Sequence, residues 1–142
     1  MDEDGNTALH YACSENQGAI AELLLKKNAS PNIQDTAGWT SFHAAASARH
    51  FNICQLLLRH QADPSLSNNS NSSGFAYLGR AVGSDPTLQM EVIRECVGLR
   101  EGLLDARNDL GETILHVTAL RASPVIVSCL LDLSSDPNLV NM

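Results

Sequence analysis

Residues 37–67 read AGWTSFHAAASARHFNICQLLLRHQADPSLS, and residues 4–35, one 33-residue period upstream, read DGNTALHYACSENQGAIAELLLKKNASPNIQD. Setting Gly5 on Gly38 also pairs Thr7 with Thr40, His10 with His43, Ala12 with Ala45, and Ile20 with Ile53. The same offset pairs Leu23–Leu25 with Leu56–Leu58, Ala29 with Ala62 and Pro31 with Pro64. A fixed period of this length marks a solenoid, in which each unit touches only its neighbours and buries its apolar face by stacking. The expected business of such a chain is binding rather than turnover.

One unit can be followed residue by residue. Asp4-Gly5 is a turn dipeptide, and Gly5 reaches positive φ without steric cost. Thr7 then caps a short helix running to about Glu15, with Ala8, Leu9 and Ala12 as its apolar face. Gly18 breaks and restarts the chain. Ile20, Leu23 and Leu24 recur at helical spacing in a second helix to about Lys27. Asn28 ends that helix, and Pro31 opens an extended arm towards the next turn. The unit is therefore hairpin, helix, helix. Ser123-Pro124 predicts another helix start, with Ser as cap and Pro in the first turn.

These residues resemble the ankyrin repeat, with its G-x-T-x-L-H-x-A opening, apolar second helix and A-D-x-N arm. Gly5-Asn6-Thr7-Ala8-Leu9-His10-Tyr11-Ala12, Gly38-Trp39-Thr40-Ser41-Phe42-His43-Ala44-Ala45 and Gly111-Glu112-Thr113-Ile114-Leu115-His116-Val117-Thr118 carry the opening. A third unit is read from Gly74, degraded, with Leu78 and Ala81 in place and Gly79 where the histidine belongs. The resemblance implies an all-α solenoid of stacked helix-turn-helix units with β-hairpin-like loops. The whole chain forms one domain with repeats at approximately 2–34, 35–70, 71–107 and 108–141. In this register Gly38 to Gly74 is 36 residues and Gly74 to Gly111 is 37. The extra length is expected as a protruding polar tip at 67–73 and as an extended outer connection at 98–104. The apolar last helix (Val125 to Leu131) predicts that the chain is a segment of a longer array.

Bulk properties set limits. The 142 residues carry a net charge of −7, which argues against nucleic acid or an anionic membrane as partner and is compatible with a basic protein segment. No apolar run approaches the ~18 residues of a spanning helix, and no signal peptide opens the chain. Cys13, Cys54, Cys96 and Cys129 lie far apart, mostly at apolar helix positions, and read as buried thiols in a cytoplasmic or nuclear setting.

Chemistry-bearing residues give little. His10, His43 and His116 recur with the repeat, so they are read as structural; a catalytic histidine has no reason to reappear at repeat spacing. His10 and Cys13 stand three apart, but no second pair follows to complete a zinc site. No nucleophile elbow or phosphate loop is present. The chain is thus read as a non-enzyme with no cofactor and no metal. The resemblance also marks Asn32 and Asn138 as arm positions that are sometimes hydroxylated, beside their plain turn-forming role.

In ankyrin proteins the residues flanking the turn glycine, and those near the end of the first helix, face a concave surface and contact partners. Carried over, these are Glu3, Asp4, Asn6, Ser14 and Glu15, then Thr36, Ala37, Trp39, Ser47 and Ala48. The third unit gives Ser72, Ser73, Phe75, Gly83 and Ser84, and the fourth Asp109, Leu110, Glu112, Leu120 and Arg121. Trp39, the single tryptophan, stands out, and Phe75 is placed beside it in an aromatic strip at the tips. The expected function is a protein-recruiting or masking module. Two alternatives are an inhibitor-of-κB-like regulator, to which Met90-Glu91-Val92-Ile93-Arg94 and the following repeat opening look similar, and the substrate-recruiting part of a larger enzyme such as an E3 ligase, a kinase or a GTPase regulator.

Overall fold

The hydroxyl of Thr7 accepts the amide of His10 at 3.3 Å, while the His10 ring accepts the amide of Thr7 at 2.9 Å. This reciprocal cap starts α1, Ala8–Ser14. Thr40 and His43 repeat it at the start of α3, Ser41–Ser47. The computed structural model describes residues 2–80, 86–99, 102–105, 111, 113 and 124–134. The other helices are α2 (Gly18–Lys26), α4 (Phe51–Arg59), α5 (Gly74–Arg80), α6 (Pro86–Leu99) and α7 (Pro124–Ser134), with a short 3-10 turn at Leu103–Asp105. No strand forms among the described residues; an isolated bridge joins Ser67 and Ser73.

The helices pack in two rows. α1, α3 and α5 form one, and α2, α4, α6 and α7 the other, each helix also touching its mate within the repeat over the first three units. The core lies between the rows and is built from Leu9, Phe42 and Phe75 in the first row, with Ala21, Ile53, Leu57, Val92, Ile93 and Ile126 in the second. The stack explains exposure. Ile53 is 1% exposed because α2 covers it, whereas the equivalent Ile20 is 49% exposed and Leu23 is 57% exposed. Leu9 and Ala12 are buried as their spacing requires, but Ala8 faces solvent.

The helix breaks use other residues than the sequence suggests. After α1 and α3 the left-handed residue is Asn16 (φ 58) or Arg49 (φ 65); after α2 and α4 it is Asn28 (φ 70) or Gln61 (φ 70). The amides of Gln17 and His50 then return to Ala12 and Ala45, at 2.8 and 2.9 Å, closing the helix ends. Gly18 is simply the first residue of α2, with open space around it. The break belongs to Asn16.

The third unit is where expectation and structure part. Asp35 Oδ1 accepts the amides of Ala37 and Trp39, and Asn68 Oδ1 accepts those of Ser70 and Ser72. The amide of Gly38 bonds to the carbonyl of Asp35, and that of Asn71 to Asn68, both at 2.9 Å. These turn bonds recur 33 residues on, so the region 67–73 is a turn of the same length as the second and holds no insertion. Asn71 (φ 55) takes the place of Gly38 (φ 82), because asparagine tolerates the left-handed region. Ser73 takes the place of Thr40 and accepts the amide of Ala76 at 3.1 Å. Gly74 is not the turn glycine. It begins α5, and a Cβ there would lie 2.4 Å from the Phe42 ring, so it is a spacing residue.

The extra length enters later. Buried Ile53, Cys54 and Leu57 match Val92, Ile93 and Cys96, and α6 has 14 residues against 9 in α4. The register has therefore slipped before the core of α6 rather than after it. Gly98 and Leu99 still belong to α6, and Leu103 sits in the core at 4% exposure. The described residues of 98–104 are thus the end of α6 and, at Leu103, an inward anchor, while residues 100 and 101 lie outside the described residues. Gly111 keeps the positive φ of a turn glycine, and Pro124 begins α7 as its sequence predicts.

Candidate functional site

A histidine ties the first turn to the second, and another ties the second to the third. His10 Nδ1 accepts an amide, which fixes the neutral tautomer with hydrogen on Nε2, and Nε2 donates to the carbonyl of Trp39 at 2.9 Å. His43 does the same to the carbonyl of Ser72 at 2.9 Å. Burial holds the His43 ring below the ordinary histidine range, opposed by its bond to Ser72. Amides link the tips as well: Thr36 to the carbonyl of Asp4, and Asn69 to that of Ala37, each at 2.9 Å. These bonds assign the repeated histidines a structural role and set the tips at fixed spacing.

A groove of about 340 Å³ runs beside the first two units, lined by Asn6, His10, Tyr11, Ser14, Asp35, Trp39, Ala44, Ser47 and Ala48. α3 contributes only the small side chains of Ala44, Ser47 and Ala48 to its lining. Tyr11 is 52% exposed, and its hydroxyl donates to the Asp2 carboxylate. That bond, followed by the Asn6 amide, holds Asp2 below the usual carboxylate range, and the same bond to Asp2 pushes the Tyr11 phenol up.

Of the residues expected at a contact surface, Asn6, Ser14, Trp39, Ser47 and Ala48 line this groove. Glu3, Asp4, Glu15, Thr36 and Ala37 are exposed beside it or at the tips. Phe75 is a correction. It is 1% exposed, because the true register places it in the core slot of Leu9 and Phe42. The aromatic strip with Phe75 does not form. Trp39 is half-buried, with its ring centroid 4.9 Å from Tyr77 and 5.7 Å from His43. Asp109, Leu110, Glu112, Leu120, Arg121, Gly83, Ser84 and Asn138 lie outside the described residues. Tyr11 and Asp35 were missed as groove walls. Their signal was available: Tyr11 stands one turn before Ser14 on the same helix face, and Asp35 opens the turn that ends at Trp39.

Asn32 is committed to structure. Its amide donates to the carbonyl of Gln61 at 3.2 Å, and its Oδ1 accepts the amide of Asp63 at 2.8 Å. The four cysteines are free and buried. Burial pushes the Cys13 thiol up to about 12 and raises those of Cys54, Cys96 and Cys129. No group of metal-ligating side chains gathers among the described residues, and no described helix is long and apolar enough to cross a membrane.

Residues 1–68 match the family model of ankyrin repeats, which holds three copies of the unit. The first two units are thus ankyrin repeats, a kind of module that generally binds other proteins. A comparison with curated proteins finds no match to the chain.

Proposed function

We propose that this chain recruits or masks another protein through the face formed by its turns and first helices, centred on the groove between the first two units. The carrying observation is a division of labour. The turns are held by backbone groups, by Asp and Asn side-chain oxygens and by the histidines, which leaves Asn6, Ser14, Ser47 and the Trp39 edge with no bond that the stack requires. A rigid row of such side chains around a shallow groove suits a protein surface better than a small substrate. The activity is binding without turnover, and four buried free thiols accord with a reducing compartment such as cytoplasm or nucleus.

The test is site-specific photo-crosslinking in cell lysate. A photoreactive residue at Ser47, in the groove, should capture a partner that the same residue at Asn52, on the exposed side of α4, does not. Equal capture from both positions would remove the groove from the contact surface.

A further inference from the structure

The acidic side chains at the first two turns carry more charge than the turns need. Asp35 and Asn68 stand at equivalent places, and each gives one oxygen to two backbone amides at 2.9–3.0 Å. The neutral side chain does this work in the third turn, so the negative charge of Asp35 is surplus to the hairpin. Its Oδ2 accepts from no described residue, and Asp35 lines the groove.

The rest of the groove lining has the chemistry that suits a flat cation. Trp39 and Tyr11 give its lining two large aromatic rings, and Ala44, Ser47 and Ala48 give it small side chains from α3. No lysine or arginine lines it, while Asp2 is tied to Tyr11 at its edge. Aromatic faces attract cations, and a guanidinium both stacks on a ring and pairs with a carboxylate through its planar fork.

We propose that the groove receives an arginine side chain from a basic segment of the partner protein, its guanidinium lying against Trp39 and Tyr11 and paired with Asp35. This rests on the reading of that face as the contact surface and names the chemistry it selects. The long apolar stem of arginine covers the small side chains of α3 while the charge stays at the acidic rim. Charge at the rim also sets how fast such a segment arrives, and makes the association weaken with salt.

Trp39, as the only tryptophan in the chain, reports on its own site. The experiment is a fluorescence titration of the full chain with a short glycine–serine peptide carrying arginines, against matched peptides carrying lysine or glutamine. The arginine peptide should change Trp39 emission saturably, with affinity falling as salt rises. The lysine peptide should bind more weakly and the glutamine peptide should leave the emission unchanged. Asp35→Asn should weaken binding by about tenfold while its thermal melt stays that of the wild type, since Asn68 already serves an equivalent turn. Tyr11→Ala, at an exposed position, should weaken it similarly. Equal binding of the arginine and glutamine peptides, or an Asp35→Asn chain that melts and binds like wild type, would overturn the assignment. If the arginine peptide fails to bind while crosslinking from Ser47 still captures a partner, the arginine site falls and the contact face stands. If both fail, the contact face falls with it.

Discussion

The second and third turns make most of the same hydrogen bonds from almost wholly different residues. Asp35, Gly38, Thr40 and His43 in one become Asn68, Asn71, Ser73 and Ala76 in the other. The side-chain oxygen, the left-handed residue and the helix cap all survive these exchanges. The histidine link is lost, because alanine offers nothing in its place, and so is the Gln34 bond to the Gly38 carbonyl, where Ser67 stands in the third turn. What the repeats share is a set of bonding positions; the residue types are one of several ways to fill them.

The sharpest way to break this comparison is at Phe75. If it fills the slot of Phe42, Phe75→Ala should cost about 3–5 kcal/mol in urea unfolding, as large-to-small core changes do. A cost near zero would return Phe75 to the surface and the third turn to its later register.

His43→Ala tests a position where the two turns differ in kind. It removes a buried inter-repeat bond and strands the Thr40 amide, for an expected loss of about 2–3 kcal/mol. The variant should also lose part of the pH dependence. Burial depresses the folded-state pKa of His43 below its ordinary 6.5, so the unfolded chain takes up the proton first. The stability held by the neutral ring is complete above that value and falls as pH drops through it. Melting curves from neutral to mildly acidic pH should slope less in the variant than in the wild type.

Gly74→Ala should cost about 1–3 kcal/mol, because the added carbon meets the fully buried Phe42 ring. The smallest effect is expected at the turn itself. Asn71→Gly should stabilise by a few tenths to about 1 kcal/mol, since glycine carries no penalty for left-handed backbone and asparagine carries a small one. A loss on that substitution would mean that the Asn71 side chain does more than occupy the turn.

The period, the cap at Thr7, the helix pairs and the Pro124 start were legible from sequence because each rests on local stereochemistry. The third turn was misread because the search followed glycine, while the backbone asks only for a left-handed residue, and Asn71 supplies one. Asn16 and Arg49 hid the helix breaks for the same reason, and Gly18 drew attention it had not merited. Phe75 followed the turn into error by three positions. Of the groove, Asn6, Ser14, Trp39 and Ser47 were found by carrying positions over from the family pattern. Tyr11 and Asp35 were not, because their importance comes from juxtaposition across two repeats rather than from either repeat's own sequence.

The buried cysteines have a consequence for how the array comes apart. Cys13, Cys54, Cys96 and Cys129 lie on α1, α4, α6 and α7, and burial raises each thiol above its ordinary range. Alkylation of each thiol therefore waits on local opening of its own repeat, and peptide-resolved labelling rates become four clocks set along one axis. Clocks that run fast at the ends and slow in the middle would describe fraying; four that keep the same time would describe a chain that opens all at once.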